Sequence, residues 1–161
     1  MKALTLTQPW ASLVALNVKR YETRSWRTSY RGPLAIHAAK GMPKACADLC
    51  DLEPFRKALE PISGLVSGPL DWRAFLPRGE IVAIVKLAAI GPTEKIRDSA
   101  GFVDGAWPHE RDFGDYGDGR FAWLMTLPLA LQYPRPEVAG HLSLWEWAEP
   151  EYLRAEIEAR R

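Results

Sequence analysis

The sequence predicts an α+β domain built as a small, mostly antiparallel β-barrel of about six strands with flanking helices. Three observations lead there. Short apolar or alternating runs recur along the chain between turn-rich stretches. Helical periodicity is confined to three segments. The two kinds of element come in mixed order, without the regular strand–helix alternation that builds a parallel sheet. With 161 residues the chain fits a single domain over 1–161 and is long enough to bury one core.

Lys2 to Thr7 is β-prone and reads as the first strand. Pro9 then suits the start of a helix, and Trp10, Leu13 and Val14 recur at helical spacing through Leu16. Asn17 tolerates the left-handed conformation that ends helices, so it turns the chain into the next element. Lys19 to Thr28 alternates with period two, and after the turn Arg31-Gly32-Pro33 comes the apolar strand Leu34 to Ala38. Pro43 to Leu59 is the main helical candidate, with Pro54 as its break. Prolines and glycines from Glu60 to Arg78 predict a long irregular connection with a short helical turn around Trp72 and Phe75.

Ile81 to Ile90 is the most hydrophobic run and the candidate central strand, after which Pro92 to Arg97 reads as a polar extension and turn. Ser99 to Gly119 is a Gly- and Asp-rich loop carrying Trp107, Phe113 and Tyr116. Phe121 to Tyr133 reads as a strand bent at Pro128, and Leu142 to Trp147 as another. Glu149 to Arg161 has good helix formers and charge pairs at helical spacing, which predicts a solvent-facing terminal helix.

Composition excludes several classes. The content is 47% apolar and 25% charged with a net charge of +1, so the chain is neither disordered nor polybasic. No apolar run reaches the ~18 residues of a membrane span, and no signal-peptide pattern opens the chain, so the expected location is the cytoplasm. Cys46 and Cys50 sit four apart while His37, His109 and His141 are scattered, a pattern that predicts reduced thiols with no metal and no cofactor.

Charge is uneven along the chain. Between Val18 and Lys40 six cations, Lys19, Arg20, Arg24, Arg27, Arg31 and Lys40, face one acid, Glu22. A positive field gathered on one element attracts an anion locally. Neither face of the Lys19–Thr28 alternation is apolar, which predicts that at least one lines a polar cleft. On a strand Lys19 and Glu22 would point to opposite faces, so a shared site requires Lys19 to lie in the turn. Glu22 and Arg24 share a face, either as a structural ion pair or as part of a binding surface.

Arginine and lysine supply charge-assisted contacts to phosphate, and aromatic rings stack on unpaired bases. Trp10, Trp26 and Tyr30 lie close in sequence to Arg24 and Arg31, with core packing as the competing role for the two tryptophans. His37 reads first as a core histidine and second as a site residue. "FGDYGDGR", Phe113 to Arg120, is a turn-rich loop that brings Tyr116 and Arg120 to a cleft wall.

The segment "QPWASLVALNVKRYETRSWRTSYRGPLAIHAAK", Gln8 to Lys40, resembles the signature of the ASCH domain family, named for activating signal cointegrator homology. Its pattern Gly-x-Lys-x-x-Glu-x-Arg is met by Lys19, Glu22 and Arg24, with Asn17 in place of the glycine. The resemblance implies a PUA-like β-barrel with a cleft between barrel and helices, bordered by those three residues, and a nucleic-acid or nucleotide ligand. A bacterial branch of the superfamily hydrolyses N4-acetylcytidine with a lysine, a threonine three residues later and a distant glutamate, which has no assigned counterpart here. Lys19 matches that lysine and Glu22 stands in the threonine's place.

The expected function is therefore binding of RNA, above all single-stranded RNA, or of a nucleotide, with DNA as a second candidate ligand. The expected surface comprises Lys19, Glu22, Arg24, Trp26, Tyr30, Arg31, His37, Trp10, Tyr116 and Arg120. The alternative is a small hydrolase acting on RNA or a modified nucleoside, in which Glu22 is the general acid or base and Lys19 its partner.

Overall fold

Six strands emerge from the predicted runs: β1 (Lys2–Leu6), β2 (Tyr21–Arg24), β3 (Gly32–Ala38), β4 (Glu80–Pro92), β5 (Phe121–Ala130) and β6 (Leu144–Glu146). Among the described residues six α-helices accompany them: α1 (Trp10–Ala15), α2 (Lys44–Leu49), α3 (Phe55–Ser63), α4 (Trp72–Phe75), α5 (Thr93–Arg97) and α6 (Arg154–Glu158). The structure, a computed structural model, describes residues 1–64, 70–99, 109–132 and 135–160. Trp107, Tyr133 and part of the 60–78 connection lie outside the described residues.

The strands form one mixed sheet in the order β2-β5-β4-β3-β1-β6, curled into an open half-barrel. This corrects the expected barrel in two respects. β1 and β3 are parallel, pairing Lys2 with Leu34 through Leu6 with Ala38. A parallel pair needs a crossover of a dozen or more residues, and the stretch from Thr7 to Arg31, with α1 and β2 in it, provides one. The second respect is closure, since the outer strands β2 and β6 are not hydrogen-bonded to each other.

Burial explains why β3 and β4 are the most apolar strands. Every residue of β3 is buried, as are Glu80 to Val85 of β4, because both faces of these central strands are covered. Successive residues serve two cores. Leu4, Leu34, Ile36 and Trp123 join one with Val14 of α1, while Ala3, Ala35, Ile81 and Trp145 join the other with Leu153 and Ile157. The terminal helix is thus not wholly solvent-facing, because α6 packs Ile157 into the second core. A third cluster holds the helical layer, where Leu13 of α1 meets Phe55, Leu59, Trp72 and Phe113.

Some element boundaries differ from expectation. The alternation from Lys19 to Thr28 yields only four strand residues, because Ser25 and Trp26 bend away and the Trp26 ring packs edge-on against Trp123, with centroids 4.6 Å apart. The main helix splits into α2 and α3 around Pro54, and α3 continues past Pro61 to Ser63, anchored by buried Phe55 and Leu59. Pro92 to Arg97 is the end of β4 followed by α5, not a turn.

His37 is buried in β3, its Nε2 3.0 Å from the Val138 carbonyl oxygen and its Nδ1 without a hydrogen-bond partner. A side chain on Gly140 would place its Cβ 2.4 Å from His37 Cε1 and 2.9 Å from Thr5 Oγ1. Gly140→Ala should therefore cost about 1–3 kcal/mol through overpacking. Urea denaturation should show the loss reduced when His37→Ala is added. Burial holds the His37 imidazole below its ordinary 6.5, with the Val138 carbonyl opposing and His141 reinforcing the shift. The unfolded chain then binds a proton that the folded ring resists, so stability should fall as pH drops below 6.5 toward the lowered value. In His37→Gln the slope of unfolding free energy against pH in that window should flatten.

Candidate functional site

The site begins at the C-terminal end of α1. Asn17 adopts the left-handed conformation with φ 59°, and the backbone N–H groups of Val18 and Lys19 both donate to the Leu13 carbonyl. This tight turn leaves Lys19 ahead of β2, outside the pleat. Its side chain therefore runs inward to the same side as Glu22, and the residue is 1% exposed. The ammonium donates to the carbonyl oxygens of Tyr21 and Phe113, the latter at 2.9 Å, and lies 3.7 Å from Glu22 Oε2.

Glu22 is the centre of the arrangement. Its other oxygen lies 3.2 Å from Arg24 Nε, a charge contact whose geometry is not that of a hydrogen bond. Arg24 Nη2 donates to the Thr5 carbonyl of β1 at 3.0 Å. Since β2 and β1 are separated by three strands in the sheet, this bond reaches across the open side of the half-barrel. The three motif residues thus form one chain of contacts from the Phe113 loop to β1.

A residue absent from the sequence reading anchors the same region. Glu110 is 1% exposed, and its carboxylate accepts the N–H groups of Arg20 at 2.8 Å and Tyr21 at 3.0 Å and the Tyr116 hydroxyl at 3.2 Å. Burial, then the Glu110 charge, raises the hydroxyls of both Tyr21 and Tyr116. One acid in a loop full of Asp and Gly carries no periodic signal, so only the folded contacts reveal it.

Two cavities flank β2. The first, about 370 Å³, is lined by Trp10, Glu22, Thr23, Asp112, Phe113 and Asp115. Among the described residues its walls combine two aromatic rings with three carboxyl groups and no cation. The second, about 360 Å³, is lined by Arg27, Thr28, Ser29, Arg31, Ile90 and Phe121. Arg31 donates to the carbonyls of Thr28 and Tyr30, and Arg27 is exposed without an ion pair among the described residues. Four residues lie between Glu22 and Arg27, a path of at most about 18 Å.

The remaining expected residues have other surroundings. Trp26 and Tyr30 pack against the first core, Trp26 offering its carbonyl to Trp123 Nε1 and Tyr30 its hydroxyl to the Pro33 carbonyl. Trp10 contacts Phe55 edge-on while lining the first cavity. Tyr116 is buried on Glu110, Arg120 bonds the Thr23 carbonyl and pairs with Asp115, and His37 lies on the other side of β1 with Trp145. Cys50 is buried, which pushes its thiol up to about 12 and keeps it protonated.

The family model of the ASCH domain matches residues 4–133. Activating signal cointegrator 1 of Homo sapiens and that of Mus musculus are each 50% identical to this chain over 40 residues, which is 25% of this chain. The match spans only 7% of the length of those curated relatives.

Two substitutions test the structural part that the motif's cations play. Lys19→Met should cost about 2–4 kcal/mol in urea denaturation, because it leaves the Tyr21 and Phe113 carbonyls without their donor. Arg24→Ala should cost about 1–3 kcal/mol by removing the bond to Thr5.

Proposed function

This chain belongs to the ASCH domain family, and we propose that it binds single-stranded RNA along the β2 edge. An unpaired base enters the cavity of Trp10 and Phe113, and the backbone phosphates run over Arg27 and Arg31. The observation that supports this reading is a pair of cavities of opposite charge, one on the edge strand β2 and the other on the segment that follows it in the chain. Carboxylates accept from base N–H groups and repel phosphate, whereas guanidinium groups attract it. A base and its phosphates are therefore sorted to different cavities.

Lys19 acts here as a positioning residue. Its ammonium is committed to two carbonyls, so it meets no ligand and instead holds Glu22 at the cavity wall. The hydrolase alternative draws on the same Lys19–Glu22 contact, with Glu22 as the group that meets substrate. Incubation with N4-acetylcytidine decides it: turnover by the wild type that vanishes in Glu22→Gln would replace binding with catalysis.

Binding is measured by fluorescence anisotropy of labelled single-stranded RNA over a salt series. Arg27→Ala combined with Arg31→Ala should flatten the slope of log K against log salt by about 1.4, at ~0.7 per phosphate contact. Trp10→Ala should weaken binding by about 1–3 kcal/mol at every salt concentration. Unchanged affinity and slope in both variants would refute the β2 surface, and equal affinity for DNA of the same sequence would remove the preference for RNA.

A further inference from the structure

Most polar groups around the cavity of Trp10 and Glu22 are already engaged inside the fold. Thr23 Oγ1 accepts the Asp115 N–H at 3.1 Å. Asp115 in turn accepts the Gly117 N–H at 2.9 Å through Oδ1, and its Oδ2 stands 3.3 Å from Arg120 Nε. Asp112 is exposed and has its Oδ2 3.1 Å from His109 Nδ1.

Glu22 differs from all of these. Among the described residues neither of its oxygens accepts a hydrogen bond: Lys19 Nζ stands 3.7 Å from Oε2, and Arg24 Nε meets Oε1 at 3.2 Å outside hydrogen-bond geometry. Two cations thus fix the carboxylate by charge while its lone pairs stay uncommitted. Its side chain is only 13% exposed, and acceptors so nearly buried ordinarily find a donor. The cavity it lines, about 370 Å³, lies in the range of roughly 300–1,000 Å³ typical of small-molecule sites, and half-buried Trp10 offers a ring on which a base stacks.

Given the reading of this cavity as the seat of an unpaired RNA base, on which the assignment rests, we infer that Glu22 selects guanine. One carboxylate oxygen accepts the guanine N1–H and the other the N2 amino group. A carboxylate presents two acceptors side by side, and guanine is the base whose pairing edge presents two adjacent N–H donors. Adenine and cytosine set a single amino group beside a ring-nitrogen lone pair, which a carboxylate oxygen repels. Uracil sets one N–H between two carbonyl oxygens, so one carboxylate oxygen is always left facing another oxygen. Lys19 and Arg24 serve the selection by holding the carboxylate in place, and neither meets the base.

The test is fluorescence anisotropy of the full chain with labelled oligouridine carrying one central guanosine, inosine, adenosine or cytidine. Guanosine should bind about tenfold or more tighter than adenosine or cytidine, the discrimination expected of one bidentate contact. Inosine keeps the N1–H and lacks the N2 amino group, so the wild-type chain should hold it severalfold more weakly than guanosine, a comparison that needs no variant to fold. Glu22→Gln presents one acceptor and one donor in place of two acceptors, and should bring guanosine to within about twofold of adenosine. Equal affinity for all four oligonucleotides overturns the guanine assignment while leaving RNA binding along β2 in place, and so does inosine binding as tightly as guanosine or a preference that survives Glu22→Gln. Binding of none of them overturns the RNA reading itself, and the assignment with it.

Discussion

The rest of the site depends on a buried lysine. Taking an ammonium out of water costs several kcal/mol, and it persists only where hydrogen bonds and an opposite charge surround it. Lys19 meets that condition with the carbonyls of Tyr21 and Phe113 and the nearby Glu22 carboxylate. Satisfying one ion therefore brings together the end of α1, the start of β2 and the loop that follows Glu110. Glu110 reinforces the same junction from the other side by accepting the N–H groups that enter β2.

Arg24 extends the network to the sheet as a whole. The outer strands of the half-barrel are not paired, so backbone hydrogen bonds do not close it. A guanidinium is long enough and carries enough donors to reach the Thr5 carbonyl across that opening while lying against Glu22. The Lys-Glu-Arg pattern is thus a clamp in which the cations do structural work and the acid between them reaches a cavity. Side-chain exposure rises along the motif, from 1% at Lys19 through 13% at Glu22 to 27% at Arg24.

A net charge of +1 conceals strong local separation. Asp112 and Asp115 join Glu22 around one cavity, and Arg27 and Arg31 stand together at the next. Separation of this kind makes a ligand with a polar neutral ring and a charged backbone fit in one direction only.

By itself the sequence determined the strands, the α1 start and the Asn17 turn, because periodicity and left-handed tolerance act between near neighbours. It also marked Lys19, Glu22 and Arg24, and it required Lys19 to sit in the turn if the lysine and the acid were to meet. Only the tertiary structure decided that Trp26 and Tyr30 pack on the core, that β1 and β3 run parallel, that the barrel stays open, and that Glu110 supports the site. Each of these rests on groups distant in the chain, such as Trp26 with Trp123 or Tyr21 with Glu110. Contacts of that range are selected by whole-fold packing and by the cost of an unsatisfied buried group, neither of which leaves a local pattern.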